Sequence, residues 1–187
     1  MKRQHQFLLI ASTLGFSWLA MQVVHELGHV AAARATGGRI AEVRLHPAEI
    51  SFTMLAENPQ PLVVTGMGPL VGVALPLAAW WIARFRRLPG WYVFQFFAGF
   101  CLAANGAYLA GGAIYNVGDA SDLVRQGVSP PLICLIGLPA VLSGCWLWNG
   151  LGSHFGLGET KGRVDCNVAY VVTLLLFAII ALELAFA

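Results

Sequence analysis

Charge is what this chain has least of. Only 11% of its 187 residues are charged, 58% are hydrophobic, and the mean hydropathy is +0.71. A soluble domain carries about twice that charged fraction. The composition therefore excludes an ordinary soluble fold and predicts an all-α polytopic membrane protein. A net charge of +2, with no basic cluster interleaved with aromatics, excludes a nucleic-acid partner. Arg84, Arg86 and Arg87 form the one dense basic group and read as a topology signal at a helix end. Cysteine is scarce as well. Cys101, Cys134, Cys145 and Cys166 make no CxxC pair and three lie in apolar runs, so a disulfide framework is excluded. Internal repeats and a separate soluble region are also missing, so residues 1–187 read as a single membrane-embedded domain.

What is present is a series of apolar runs. Residues 6–35 form a first spanning helix, uncleaved, and Gly37-Gly38 ends it. Between residues 39 and 54 the period changes to two. Ala41, Val43 and Leu45 alternate with Glu42, Arg44 and His46, then Ile50, Phe52 and Met54 alternate with Ser51 and Thr53. That pattern predicts a short β-hairpin broken at residues 46–49, serving either as a connector or as a strand edge for an extended peptide. Further spans follow at 62–83, 91–115, 130–148 and 168–187, about five in all. In the second, Gly66-Met67-Gly68-Pro69 allows either close helix contact or a broken, re-entrant segment. The third carries small residues on one face (Gly99, Ala103, Gly106, Ala110), suited to tight helix packing. Glu183, near the end of the fifth, is placed to reach an interface.

One motif stands out against this apolar background, His25-Glu26-Leu27-Gly28-His29 at the far end of the first span. On a helix, His25 and His29 are one turn apart and share a face. That spacing lets two neutral imidazoles reach one zinc ion, while Glu26 is placed to take a proton from the attacking water. An HExxH can also arise by chance on a solvated helix. Inside a spanning segment each ionisable residue costs roughly 2.5–3.5 kcal/mol on insertion scales, so an idle cluster is expensive here.

A catalytic zinc usually takes three protein ligands. The chain has three aspartates, and two of them, Asp119 and Asp122, directly follow the third span. Alternating spans put them on the same membrane side as His29 and leave His5 and His154 on the other. Asp119 is the favoured third ligand and Asp122 the alternative, as a ligand or as a supporting hydrogen-bond partner. Helix capping is the plainer role for either. His46, Glu42, Glu49 and Glu57 are further, more exposed candidates. With the N-terminus in the cytoplasm, inside loops hold seven Lys and Arg residues against four outside, in agreement with the positive-inside rule.

An HExxH in the first span, then a β-rich segment, a Gly-Pro-bearing second span and an Asp after a further span resemble the site-2 protease family of intramembrane zinc metalloproteases. The resemblance covers residues 7–125, and the spans within 130–187 are additional. It departs from the family pattern near the Asp. Gly118 precedes Asp119 and alanine follows it, and no proline lies between Asn105 and Asp119. The chain thus resembles a compact, divergent member. The resemblance implies one zinc per chain and hydrolysis of a peptide bond in or near a transmembrane segment of a membrane-protein substrate. Glu26 would be the general base. Asn105, uncharged and in mid-span, would be either a donor to the substrate carbonyl or a contact between helices. A catalytically inactive scaffold or chaperone built on the same fold is the alternative, and a solute transporter ranks last because the later spans nearly lack ionisable residues.

Overall fold

The computed structural model describes residues 2–187. Helix α1 (Lys2–Ala35) is followed by an antiparallel hairpin of β1 (Arg39–Arg44) and β2 (Phe52–Glu57). Then come α2 (Pro61–Phe85), α3 (Trp91–Tyr115), a short α4 (Gly118–Arg125), α5 (Pro130–Trp148) and α6 (Cys166–Leu184). Five of these helices, α1, α2, α3, α5 and α6, are long and apolar enough to cross a membrane. The molecule is a polytopic helical bundle with one small hairpin after its first helix.

The helices meet through glycine. Along the antiparallel seam of α3 and α5, Gly99 faces Gly144 and Gly106 faces Gly137. A methyl group on Gly137 would lie 2.6 Å from the carbonyl oxygen of Gly106, and one on Gly144 would lie 2.5 Å from that of Gly99. Backbones this close gain dispersion contacts that bulkier residues forbid, which is the main attraction between helices once lipid replaces water. The small face expected on the third span is this seam. Gln95 and Trp148 clamp its end, donating to the carbonyls of Leu147 at 2.7 Å and Phe96 at 3.0 Å.

Helix α1 packs between α2 and α6. Against α2 the contact is again glycine on backbone: a Cβ on Gly28 would overlap the carbonyl of Met67. Helix α2 runs unbroken through Pro69 and Pro76. Of the two readings of the Gly66 to Pro69 stretch, close helix contact is therefore the one observed, and the re-entrant break is not formed.

The hairpin extends three residues past Met54, to Glu57, with Val43 opposite Thr53 and Arg44 opposite Phe52. An irregularity between Ile40 and Glu42 interrupts the register. The run of residues 50–54 that leads into β2 is inverted relative to a soluble hairpin. Ile50 and Met54 point outward, while Ser51 and Thr53 face α1, where the Ser51 N–H donates to Gln22 Oε1 at 2.9 Å. The polar face turns inward because α1 presents Gln22 and Glu26 there, and each needs a partner in a membrane setting.

Glu183 corrects one expectation. It does not reach an interface but is fully enclosed, with neither carboxylate oxygen hydrogen-bonded among the described residues. The chain end beside it folds onto the hairpin, the Leu45 N–H donating to the Phe186 carbonyl at 3.2 Å.

Candidate metal centre

The last turns of α1 carry His25, Glu26 and His29, all buried, with possible ligand atoms within 4.8 Å of one another. Two neighbours fix the ring orientations. The His29 Nδ1 lies 2.8 Å from the carbonyl oxygen of Val64 in the first turn of α2. A carbonyl only accepts, so Nδ1 carries the proton and donates. The His25 Nδ1 lies 2.7 Å from Asn105 Oδ1 on α3. Which end of an amide faces a ring must be inferred from its other bonds. Here the Asn105 Nδ2 donates to the Cys101 carbonyl at 2.9 Å, so its oxygen faces His25 and must accept.

In their neutral form both imidazoles therefore turn an unprotonated Nε2 to the same point. The two nitrogens are 3.1 Å apart, and Asp119 Oδ2 closes the triangle at 2.9 Å from His25 Nε2 and 3.3 Å from His29 Nε2. With both rings neutral, three electron-pair acceptors converge with no donor among them, an arrangement that suits a cation. Tetrahedral ligands at about 2.0–2.1 Å from zinc lie about 3.3 Å from one another, close to the three edges seen here. The donor set of two imidazoles and a carboxylate thus fits zinc in chemistry and in spacing.

Asp119 lies outside the spans, in the first turn of α4. Asp122, three residues on, points elsewhere. It pairs with Arg125 at 3.4 Å on an exposed surface, although it also lines the polar cavity over the cluster. Of the two aspartates, the fold brings Asp119 to the histidines. The hairpin candidates are not in the triangle: Glu57 pairs with Arg39 and Glu49 with Arg44, both exposed. His154 stacks on Tyr92, and His5 contacts Tyr170 at 2.9 Å, both far from the cluster.

Glu26 is held beside the triangle by β2. Thr53 Oγ1 donates to its Oε2 at 2.7 Å. The cavity over the cluster has a volume of about 390 Å3 and includes His25, Glu26, His29, Tyr108 and Asp119 in its walls. A second, apolar cavity of about 260 Å3 adjoins it, walled by Trp18, Met21, Ile50 and Ala104 and sharing His25, Glu26 and Tyr108.

Several supporting residues escape a reading of the sequence. Val64, Thr53 and Tyr108 come from three different elements, and nothing local marks Val64 or Tyr108. Thr53 alone left a trace, as part of the polar face of the second strand. The missing side chain of Gly118 makes room for the Tyr108 hydroxyl, which a Cβ there would overlap. Asn105 stands behind a histidine, with its oxygen on His25 and its amide donating to Cys101, and it also lines the apolar cavity. No family model, curated protein or solved structure matches the chain.

Proposed function

We propose that the protein is a zinc-dependent intramembrane endopeptidase, a compact member of the site-2 protease type, which hydrolyses a peptide bond in or near a transmembrane segment of its substrate. The observation that carries this reading is the convergence of three unprotonated acceptors, His25 Nε2, His29 Nε2 and Asp119 Oδ2, beside the carboxylate of Glu26. His25, His29 and Asp119 would hold one zinc per chain. When bound, zinc supplies Lewis-acid polarisation of a carbonyl and makes water more acidic.

The chain's own residues supply the rest. Asn105 and Val64 keep both Nε2 atoms unprotonated and aimed. Thr53 occupies Glu26 Oε2, leaving Oε1 to take the proton of the attacking water. The water oxygen adds to the scissile carbonyl carbon and the C–N bond breaks. Glu26 then passes its proton to the leaving nitrogen, so the products are a carboxylate and an amine. The apolar cavity next to the cluster suits a substrate whose residues flanking that bond are themselves apolar. The N-terminus lies in the cytoplasm on this reading, following the distribution of Lys and Arg.

Metal analysis and cleavage assays on detergent-purified protein test the proposal. The wild type should carry about one zinc per chain and cut a transmembrane peptide, and the His25→Ala, His29→Ala double variant should do neither. Full zinc retention by the double variant, or zinc binding without cleavage of any membrane peptide, would reject it. The latter result would favour a non-catalytic scaffold.

A further inference from the structure

Asn105 on α3 holds His25 with its oxygen and donates to the Cys101 carbonyl with its amide. Tyr108 lies three residues further along that helix, on the same face. Its ring meets His25 edge-on, with centroids 5.7 Å apart and planes at 83°. Its hydroxyl oxygen accepts from the Asp119 N–H at 3.2 Å. Among the described residues, no acceptor takes the hydroxyl's own hydrogen, which is therefore free to donate. Tyr108 lines both cavities, so its side chain stands where the polar space over the cluster opens into the apolar one. Gly118, at φ +60°, keeps the room that the hydroxyl occupies.

We infer that Tyr108 is a catalytic residue whose hydroxyl donates a hydrogen bond to the scissile carbonyl oxygen as that oxygen gains negative charge. The inference rests on the peptidase reading above. No bond to the hydroxyl breaks. The Asp119 N–H bond to the phenol oxygen polarises the O–H, and the ring contact with His25 holds its position, so the donor is in place before charge develops. A donor aimed at charge that exists only in the transition state raises kcat and leaves ground-state binding nearly alone.

The test is Tyr108→Phe in the full-length protein in micelles, with thermal melting as a check on folding. The probes are zinc alone, a Leu/Ala transmembrane peptide with a central Ala-Gly pair, and the same peptide with a phosphinic group at the cleaved bond. Loss of one such donor typically lowers kcat by about 10²–10³. The expected result is a kcat loss in that range with unchanged KM and unchanged zinc affinity. The phosphinic peptide, which carries the tetrahedral anion, should bind more weakly by a similar factor. An unchanged kcat would overturn the inference, and so would a fall in zinc affinity that tracks the fall in kcat, since Tyr108 would then act only through Asp119. If the wild type holds no zinc and cuts nothing, the peptidase reading itself fails and this inference with it.

Discussion

Gly68 on α2 faces His29 on α1 so closely that a Cβ on the glycine would overlap the imidazole at Cε1 and Nε2. The same added atom would lie 2.9 Å from His25 Nε2. The glycine is a wall of the triangle of His25, His29 and Asp119, and its missing side chain is what lets α2 close over the two histidines. Val64, one turn earlier on α2, can then reach His29 Nδ1 with its carbonyl.

The first prediction follows from that contact. In a free helix, Gly→Ala is favourable by about 1 kcal/mol. Here the methyl group must displace both ligand rings. Gly68→Ala is expected to reduce zinc affinity by at least tenfold and abolish cleavage while the helical circular dichroism is retained. Zinc titration checks it, and unchanged affinity would mean that the triangle is not the metal site.

Glu26→Gln separates binding from chemistry. Glutamine keeps the shape and can still accept from Thr53, but it cannot take a proton. The variant should bind zinc like the wild type and show no turnover of a membrane substrate. Measurable turnover close to wild type would remove Glu26 from the mechanism.

The two aspartates are expected to behave differently. Asp119→Ala removes one corner of the triangle and should lose most zinc affinity and all activity. Asp122→Ala breaks only an exposed pair with Arg125, and such pairs contribute roughly 0–1 kcal/mol. A paired zinc titration decides between them. Metal loss in Asp122→Ala with retention in Asp119→Ala would reverse the assignment.

Asn105→Leu tests the role of the residue behind His25. It removes the acceptor that fixes the proton on Nδ1, and loss of such a partner typically costs 10–100-fold in metal affinity. Zinc affinity should fall by roughly that factor, with residual cleavage at saturating zinc. A drop in kcat at full zinc occupancy, with affinity intact, would instead return Asn105 to the substrate side.

Glu183 offers a test of the bundle away from the site. A charged carboxylate enclosed without a hydrogen-bond partner, as Glu183 is among the described residues, costs several kcal/mol. Glu183→Gln keeps the volume and removes the charge, so its melting temperature should equal or exceed that of the wild type. A fall of more than about 4 °C, the size of roughly 1 kcal/mol in a chain of this length, would show that the acid holds a partner.

The chain by itself determined the number of spans and the placement of the hairpin, because both are written in local periodicity. Trp91–Tyr115 and Pro130–Trp148 coincide with their apolar runs to the residue. The pairing of His25 with His29 was equally legible, since a four-residue spacing on a helix settles it. Tertiary structure alone decided the rest. That Asp119 rather than Asp122 meets the histidines depends on how α4 leaves α3, and two aspartates three apart look alike in sequence. Thr53, Val64, Asn105 and Tyr108 meet the cluster from β2, α2 and α3, so their roles exist only once helices have packed. Glu183 ended inside rather than at an interface because α6 runs beside α1 and the chain end folds onto the hairpin. Periodicity reports which side of an element is apolar, but which neighbour that side meets is settled by the packing of whole helices against one another.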